Sequence, residues 1–315
     1  MVHLGSRAVG GAALVFTEAT AVSALGRISA ADTGIYLDSH VETWRPIVEF
    51  IRGQGALAGI QLAHAGRKAS TAEPWLGGAP VVIASGGWTP VAPSAIPFHT
   101  GYNVPTALSA EGIDQIANEF TVAARRALKA GFQVVEVHAA HGYLLHEFLS
   151  PLSNQRTDEY GGSFENRVRF PLRVAKEVRE VWPENQPVFI RISASDWVEN
   201  GWDVEQSVEF ARRLKCVGVD LVDVSSGGAV PGAKIPFGPG YQVGFAAAIR
   251  KGAGIPTGAV GMISDPAQAE TILSTGQADV VLLARELLRD PYWPRRAAQE
   301  LGAKIKPPVQ YERAW

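Results

Sequence analysis

Short apolar runs alternate with longer amphipathic stretches along nearly the whole chain. The apolar runs are rich in valine, isoleucine and leucine, and the stretches between them repeat apolar residues at helical spacing. This alternation is typical of βα units around a buried parallel sheet. It predicts seven strands, at Ala13–Thr20, Ala56–Ala63, Gln133–His138, Val188–Ser193, Leu221–Ser225, Ile255–Val260 and Asp279–Ala284.

The amphipathic stretches predict helices between these strands. Several begin at a capping residue such as Ser109, and Gly131 and Gly218 end two of them just before the next strand. Residues Val2–Val9 resemble the end of a helix that leads into the first strand. The other predicted helices are His40–Gly53, Ser109–Ala130, Phe164–Val181, Val204–Val217, Tyr241–Lys251, Asp265–Ser274 and Arg285–Leu301.

Repeated βα units over roughly 250 residues favour a (β/α)8 barrel of the TIM type, formed by residues 1–315 as a single domain. No glycine fingerprint for a dinucleotide follows the first strand, which argues against a doubly wound sheet. Because only seven strands can be counted, we expect that the first strand of the barrel is missing. Residues 71–106 are too long for an ordinary loop and are predicted to cap the C-terminal face; a surface loop without function is the alternative.

Composition excludes several classes of protein. The chain has 315 residues, 29 of them basic and 31 acidic, and no basic stripe for nucleic acid. No apolar run approaches the roughly 20 residues of a membrane span. The one cysteine excludes an intrachain disulfide and a cysteine-ligated zinc or iron–sulfur site. We therefore expect a cytoplasmic protein, in which Cys216 is a buried structural thiol.

Polar residues at the C-terminal ends of barrel strands line the reactive face. His138, His141 and Tyr143 follow an apolar strand, so two imidazoles could hold one oxygen while a phenol donates a proton nearby. A metal site and a purely structural histidine pair are the alternatives. The strand alternation is expected to turn Glu136 outward to the helices, away from such a metal. Other polar residues at strand ends are Glu18, Thr20, Gln61, His64, Arg67, Lys68, Arg191, Ser193, Ser225 and Ser226.

The last two predicted strands end in segments that suit a phosphate. Gly261 follows one strand, and Ala284 and Arg285 end the other, where backbone N–H groups at a helix start would face an anion. Arg285 would add a fixed positive charge. A glycine that only satisfies a tight turn is the alternative interpretation of Gly261.

Five segments of the chain are similar to hallmark segments of one enzyme family. Over almost its whole length the chain resembles the old yellow enzyme family of FMN-dependent ene-reductases, and its C-terminal end resembles the bacterial, thermophilic-like class. Two departures are the family's first strand with its flavin-facing cysteine turn, which has no counterpart here, and Ala284, where the family generally has glycine. The similar segments are Gly59–Lys68, His138–Tyr143, Asn154–Ser163, Arg191–Asp196 and Gln310–Trp315.

The resemblance implies the chemistry and the role of each site residue. NADPH would reduce the flavin, and the substrate would be an activated alkene, an α,β-unsaturated carbonyl or nitro compound. His138 and His141 would hold its oxygen while Tyr143 donates the proton that completes the reduction. The residues implied to bind FMN are Ala19, Gln61, Arg191, Gly261, Ala284 and Arg285.

The resemblance also implies self-association. Arg313, in a C-terminal tail of residues 307–315, would reach the substrate site of the neighbouring subunit, so a homodimer or tetramer is expected. The alternative hypothesis follows from the missing strand. It is a truncated, flavin-deficient homologue that acts as a non-catalytic scaffold.

Overall fold

Seven parallel strands form the centre of the fold in the computed structural model, which describes residues 1–314. Each strand pairs with the next one along the chain, and all seven predicted strands are confirmed, the last two being shorter than expected. They are β1 (Leu14–Ala21), β2 (Leu57–Ala63), β3 (Val134–Ala139), β4 (Val188–Ser193), β5 (Leu221–Ser225), β6 (Thr257–Ala259) and β7 (Val280–Val281).

Helices connect these strands, as the amphipathic pattern predicts. The single helix expected over Arg285–Leu301 is wrong: it divides into two because Pro291 cannot continue a helix and Asp290 before it is extended. A short buried helix, α4, was not predicted. The helices are α1 (Val2–Val9), α2 (Asp38–Gly53), α3 (Ala110–Ala130), α4 (Leu144–Leu149), α5 (Phe164–Val181), α6 (Val204–Cys216), α7 (Val243–Ala253), α8 (Pro266–Ser274), α9 (Arg285–Arg289) and α10 (Trp293–Glu300).

The two faces of the sheet are packed differently. Residues such as Val135 and Val137 belong to the large apolar core between the sheet and the helices. On the opposite face, Val134, Phe189 and Leu221 form a separate apolar cluster together with side chains of β1 and β7. This second cluster fills the N-terminal half of the inner face, and the polar site residues follow it toward the C-terminal ends of the same strands.

The sheet has two edge strands in the described part of the chain. Here β1 and β7 occupy the ends of the strand order, and no pairing joins one to the other. The structure therefore shows an α/β fold with a curled, seven-stranded parallel sheet. The eight-stranded barrel with a missing first strand is not confirmed and stays a prediction.

Residues 71–106 fold into an ordered excursion. A short parallel pair joins Val91–Ala92 to Thr106–Ala107, and the amide of Asn103 donates to the carbonyl oxygen of Val81 at 2.8 Å. The indole of Trp88 donates to the carbonyl oxygen of Leu25 in the loop after β1, at 3.1 Å. These hydrogen bonds fix the excursion against that loop, whereas its role as a cap stays a prediction.

Two further expectations concern single features. Cys216 is exposed at the last residue of α6, so the expectation of a buried thiol is wrong; the helix turns Leu214 inward instead. Across residues 1–314, none of the helices has the length and apolar character needed to cross a membrane.

The start of α3 provides a test of the helix assignment. The hydroxyl of Ser109 accepts a hydrogen bond from the backbone of Gly112 at 3.2 Å, so Ser109→Ala is expected to lower the free energy of unfolding by about 1 kcal/mol. Ser274→Ala in the exposed last turn of α8 is the control and should change it by less than about 0.5 kcal/mol. Urea unfolding measures both, and equal effects would contradict the cap.

Candidate active site

His138, His141 and Tyr143 converge at the C-terminal end of β3. His138 lies within the strand, and residues 140–143 form the loop that leads into α4. The ring of His138 lies 5.1 Å from the ring of His141 and 5.1 Å from the ring of Tyr143, edge to face in both cases. The structure therefore brings together the three side chains that the sequence singles out for catalysis.

A chain of hydrogen bonds fixes which nitrogen of each histidine carries the proton. The backbone N–H of Ala140 donates to Nδ1 of His138 at 3.2 Å, so the proton of His138 is on Nε2. That Nε2 lies 3.3 Å from Nδ1 of His141, which accepts from it and is left with its own proton on Nε2. The Nε2 of His141 then donates to the hydroxyl of Ser225 at 2.7 Å.

The histidine pair is neutral, and so is the phenol beside it. Burial, followed by the nearby charge of Arg191, lowers the pKa of His138 and the pKa of His141 well below the ordinary value. Burial, with a smaller effect from Asp32, raises the pKa of Tyr143 to about 12. At neutral pH the site therefore offers imidazole N–H groups and a protonated phenol as hydrogen-bond donors.

A second polar group lies on the inner face of the sheet. The amide Nε2 of Gln61 donates to Oε1 of Glu136 at 2.7 Å, and Nε of Arg191 lies 3.2 Å from Oδ2 of Asp223. The expectation that Glu136 points outward is wrong. It lies two positions before His138 in the strand, so both face inward, and the apolar neighbours that suggested otherwise face the helices.

Burial dominates the electrostatics of this inner group. It raises the pKa of Glu136, with a further rise from the charge of Asp223, and it also raises the pKa of Asp223. The guanidinium of Arg191 opposes both shifts. Two buried carboxylates beside one cation favour a state in which the pair keeps one proton.

Gln61 and Arg191 have free polar atoms after these contacts. Within residues 1–314, Oε1 of Gln61 accepts no hydrogen bond, and the terminal guanidinium nitrogens of Arg191 donate none to the protein. The free acceptor of Gln61 therefore lies on β2 and the free donors of Arg191 lie on β4, the two strands that flank β3. This pattern fits a planar ligand edge on which an N–H group lies beside carbonyl oxygens.

The phosphate-binding prediction involves residues around Tyr241. Gly261 has a φ of +112°, and a Cβ there would lie 2.6 Å from the amide nitrogen of Gln242, so only glycine fits. Ala284 has a φ of −106°, which alanine adopts without strain. Arg285 is exposed, and its charge lowers the pKa of Tyr241, which burial raises overall. Gly261 and the charge of Arg285 thus both lie near the side chain of Tyr241.

The remaining predicted site residues are Ala19 and Arg313. Ala19 lines a small cavity together with Tyr143 and Asp32, which brings the end of β1 to the phenol. Arg313 is exposed in a turn of 3₁₀ helix at Val309–Ala314; the last residue of the predicted tail, Trp315, lies outside the described residues. No group of three or more metal-ligating side chains is found within residues 1–314.

Several residues of the site were not predicted. They are Asp223, Gln242, His146 and Asp196. Asp223 pairs with Arg191, and Oε1 of Gln242 accepts a hydrogen bond from the hydroxyl of Ser225 at 3.3 Å. His146 contacts Asp196 behind the loop of residues 140–143. For Asp223 the signal was available, because it alternates in phase with Ser225 at the strand end. For His146 no periodicity signal exists, since all six residues of its helix are buried.

The chain is similar to known proteins over nearly its whole length. The model of the NADH:flavin oxidoreductase / NADH oxidase family matches residues 1–304. An NADPH dehydrogenase of Geobacillus thermodenitrificans (strain NG80-2) is 52% identical over 314 residues, which are 100% of this chain and 87% of the relative.

Solved structures show the same fold. Morphinone reductase matches with a TM-score of 0.79 and 30% identity, over 98% of this chain and 82% of its own. A 2-naphthoyl-CoA reductase matches with a TM-score of 0.85 and 28% identity, over 95% of this chain and 46% of its own, so this chain spans about half of that protein.

The chain belongs to the NADH:flavin oxidoreductase / NADH oxidase family, and its resemblance to the old yellow enzymes is confirmed. It is an oxidoreductase of that family. The expected cofactors, FMN and NADPH, are confirmed at the level of the family.

His64 provides a pH test of the buried histidines. Its Nδ1 accepts from the backbone of Gly66 at 3.1 Å, and burial lowers its pKa to about 4. Between pH 7 and pH 5 the unfolded chain takes up a proton at this residue and the folded chain does not, so stability falls as the pH falls. Relative to His64→Asn, which keeps an acceptor, the wild type should lose about 2 kcal/mol over this interval.

Urea unfolding of both proteins at pH 7 and pH 5 measures this difference. The comparison between two pH values removes any constant packing effect of the substitution. An equal change in the two proteins would contradict a neutral His64.

Proposed function

We propose that this protein is an FMN-dependent, NADPH-oxidising ene-reductase, which reduces the C=C bond of α,β-unsaturated carbonyl or nitro compounds. The observation that carries the proposal is the neutral pair His138–His141 with the protonated phenol of Tyr143 5.1 Å from the first ring. Neutral imidazoles can donate to an oxygen, and a phenol next to them can protonate a carbon of the same molecule.

The free atoms of Gln61 and Arg191 fit FMN. The pyrimidine edge of isoalloxazine has an N–H group flanked by carbonyl oxygens, and Oε1 of Gln61 would accept from the former while Arg191 donates to the latter. Ala19 would contact the ring through its backbone, and Gly261 with Arg285 would hold the phosphate. When bound, FMN supplies the hydride, after NADPH has reduced it.

The histidine pair would hold the oxygen of the substrate. Nε2 of His138 and Nδ1 of His141 lie 3.3 Å apart, so one oxygen beside both could accept from both. The second donation requires the proton of His141 on Nδ1 rather than Nε2. The hydroxyl of Ser225 permits this exchange, because a hydroxyl can donate to Nε2 as readily as it accepts from it. Withdrawing electron density at the oxygen makes the β-carbon a hydride acceptor.

Tyr143 would supply the proton. Its raised pKa, about 12, keeps the phenol protonated at every pH at which the protein is expected to work. A carbanion adjacent to a carbonyl group is a strong enough base to take that proton, whereas water and the neighbouring imidazoles are not.

Four finer features belong to the same proposal. An eighth strand between the edges of β1 and β7 would complete a (β/α)8 barrel. The excursion 71–106 would cap the site, supported by Phe98, whose ring lies 4.5 Å from the ammonium of Lys68. Arg313 would enter a neighbouring subunit of a homodimer or tetramer. The protein would work in the cytoplasm.

The scaffold alternative is not favoured, because Gln61 and Arg191 keep free polar atoms that a scaffold does not need.

The cofactor assignment is tested by flavin binding. Purified protein should retain a flavin absorbance band after addition of excess FMN and desalting. Arg191→Gln is expected to weaken FMN binding about tenfold or more, because it removes charge-assisted hydrogen bonds. Arg173→Gln, which breaks ion pairs with Glu177 and Asp114 among the helices and touches no site residue, is the matched control. Equal FMN affinity of the two variants would overturn the placement of the pyrimidine edge.

The proton donor is tested by separating the two half-reactions. In Tyr143→Phe, reoxidation of the reduced flavin by a cyclic enone should slow about a hundredfold or more, while reduction by NADPH changes little. Tyr36→Phe is the control and should change neither rate. Rapid-mixing spectroscopy of the flavin band measures both, and an unchanged enone reaction in Tyr143→Phe would remove this residue from the mechanism.

A further inference from the structure

The loop that carries His141 and Tyr143 is held in a strained conformation. His141 has a φ of +60° and Gly142 a φ of +72°, two successive left-handed residues of which the first is not glycine. A Cβ on Gly142 would overlap the carbonyl oxygen of Gly228, so the loop also packs tightly against its neighbour. Such a conformation persists only where the surroundings hold it.

Three side chains hold this loop by its backbone. The hydroxyl of Ser193 accepts from the N–H of His141 at 2.9 Å, and the ammonium of Lys68 donates to the carbonyl oxygen of His141 at 2.9 Å. Nδ1 of His146 accepts from the N–H of Gly142 at 2.8 Å. This last contact depends on the tautomer, because Nδ1 can accept only when it carries no proton.

Asp196 faces the other nitrogen of His146. Both side chains are fully buried, and Nε2 of His146 lies 3.0 Å from Oδ1 of Asp196. The second oxygen, Oδ2, accepts from the hydroxyl of Ser150 at 2.6 Å and from the N–H of Trp202 at 2.8 Å. Burial raises the pKa of Asp196, but His146 and these hydrogen bonds outweigh it, so the net shift is downward and the group is a carboxylate.

We propose that Asp196 and His146 are positioning residues: the carboxylate keeps the proton of His146 on Nε2, and the free Nδ1 then fixes the amide of Gly142 and the loop that presents His141 and Tyr143. This arrangement of Asp196, His146 and the amide of Gly142, called the clamp below, links the end of β4 to the loop after β3 through α4. Its consequence for alkene reduction rests on the proposed function. Its geometry does not.

The substitution Asp196→Asn removes the negative charge of this side chain and keeps its shape. The asparagine must still give an oxygen to the N–H of Trp202, which turns its NH₂ group toward Nε2 of His146. Nε2 then becomes an acceptor, and the proton moves to Nδ1, where it faces the N–H of Gly142. Replacing the carboxylate that orients a histidine by an amide has this effect on the tautomer in general. The loop is therefore expected to loosen although nothing in it is changed.

Substitutions of His146 separate the acceptor from the ring. In His146→Asn the amide oxygen lies as many bonds from the backbone as Nδ1 does, so it can accept from Gly142. In His146→Leu the volume is similar and no acceptor remains, which leaves a buried N–H unpaired. The asparagine variant should therefore retain the wild-type loop, and the leucine variant should not.

Amide hydrogen exchange of residues 140–144, with flavin present, is the first measurement. Exchange at Gly142 should be slow in the wild type and in His146→Asn, and about ten- to a hundredfold faster in His146→Leu and Asp196→Asn. The control is Ser109→Ala, which destabilises the protein through the cap of α3 and removes no hydrogen bond to the loop, His146 or Asp196. Faster exchange in Ser109→Ala as well would mean that general destabilisation, not the clamp, is measured, and would overturn the proposal.

Single-turnover reaction with a cyclic enone is the second measurement. The rate should fall about tenfold or more in His146→Leu and Asp196→Asn and be restored in His146→Asn, at equal flavin content. If the wild type reduces no enone, the proposed function fails while the exchange data still decide the clamp. If the wild type is active and slow exchange at Gly142 survives in His146→Leu, the clamp alone is overturned.

Discussion

The structure depends on burying charged and polar groups on the inner face of a parallel sheet. Each such group loses its hydration and needs a partner in the protein or in a ligand. Glu136 meets Gln61, and Asp223 meets Arg191, across neighbouring or nearby strands. After these contacts, Oε2 of Glu136 and Oδ1 of Asp223 are buried without a hydrogen-bond partner in residues 1–314, and Gln61 and Arg191 keep polar atoms that a ligand can pair.

The same constraint explains why the histidines of the site are neutral donors. His138 and His141 lie beside the guanidinium of Arg191, where a second and third positive charge would be costly. Because both rings stay uncharged, each must have one donor and one acceptor nitrogen, and the backbone of Ala140 decides which is which at the first ring. That choice also decides that Nδ1 of His141 accepts from His138 and that Nε2 of His141 donates to the hydroxyl of Ser225.

The hydrophobic pattern could predict all seven strands because every strand has an apolar face toward the helices. It could not predict the direction of Glu136, because both faces of this curled sheet are buried and apolar neighbours such as Val135 therefore do not mark the inside. The position of Glu136 two residues before His138 does mark the inside, because side chains two apart in a strand lie on the same face. The buried helix α4 has no solvent-exposed face and therefore gives no periodic signal. The contact of its His146 with Asp196 joins residues that only the folded sheet brings together.

The end of the donor chain shows how the site tolerates a change of tautomer. Oε1 of Gln242 accepts from two hydroxyls, that of Ser226 at 2.6 Å and that of Ser225 at 3.3 Å. If Ser225 turns its proton to His141, the amide oxygen keeps the shorter hydrogen bond, and the N–H groups of the two rings are then paired by the oxygen of the substrate. A single hydroxyl in this place would make the exchange cost a buried hydrogen bond. The second serine therefore lets the histidine pair present either one or two donors to an oxygen.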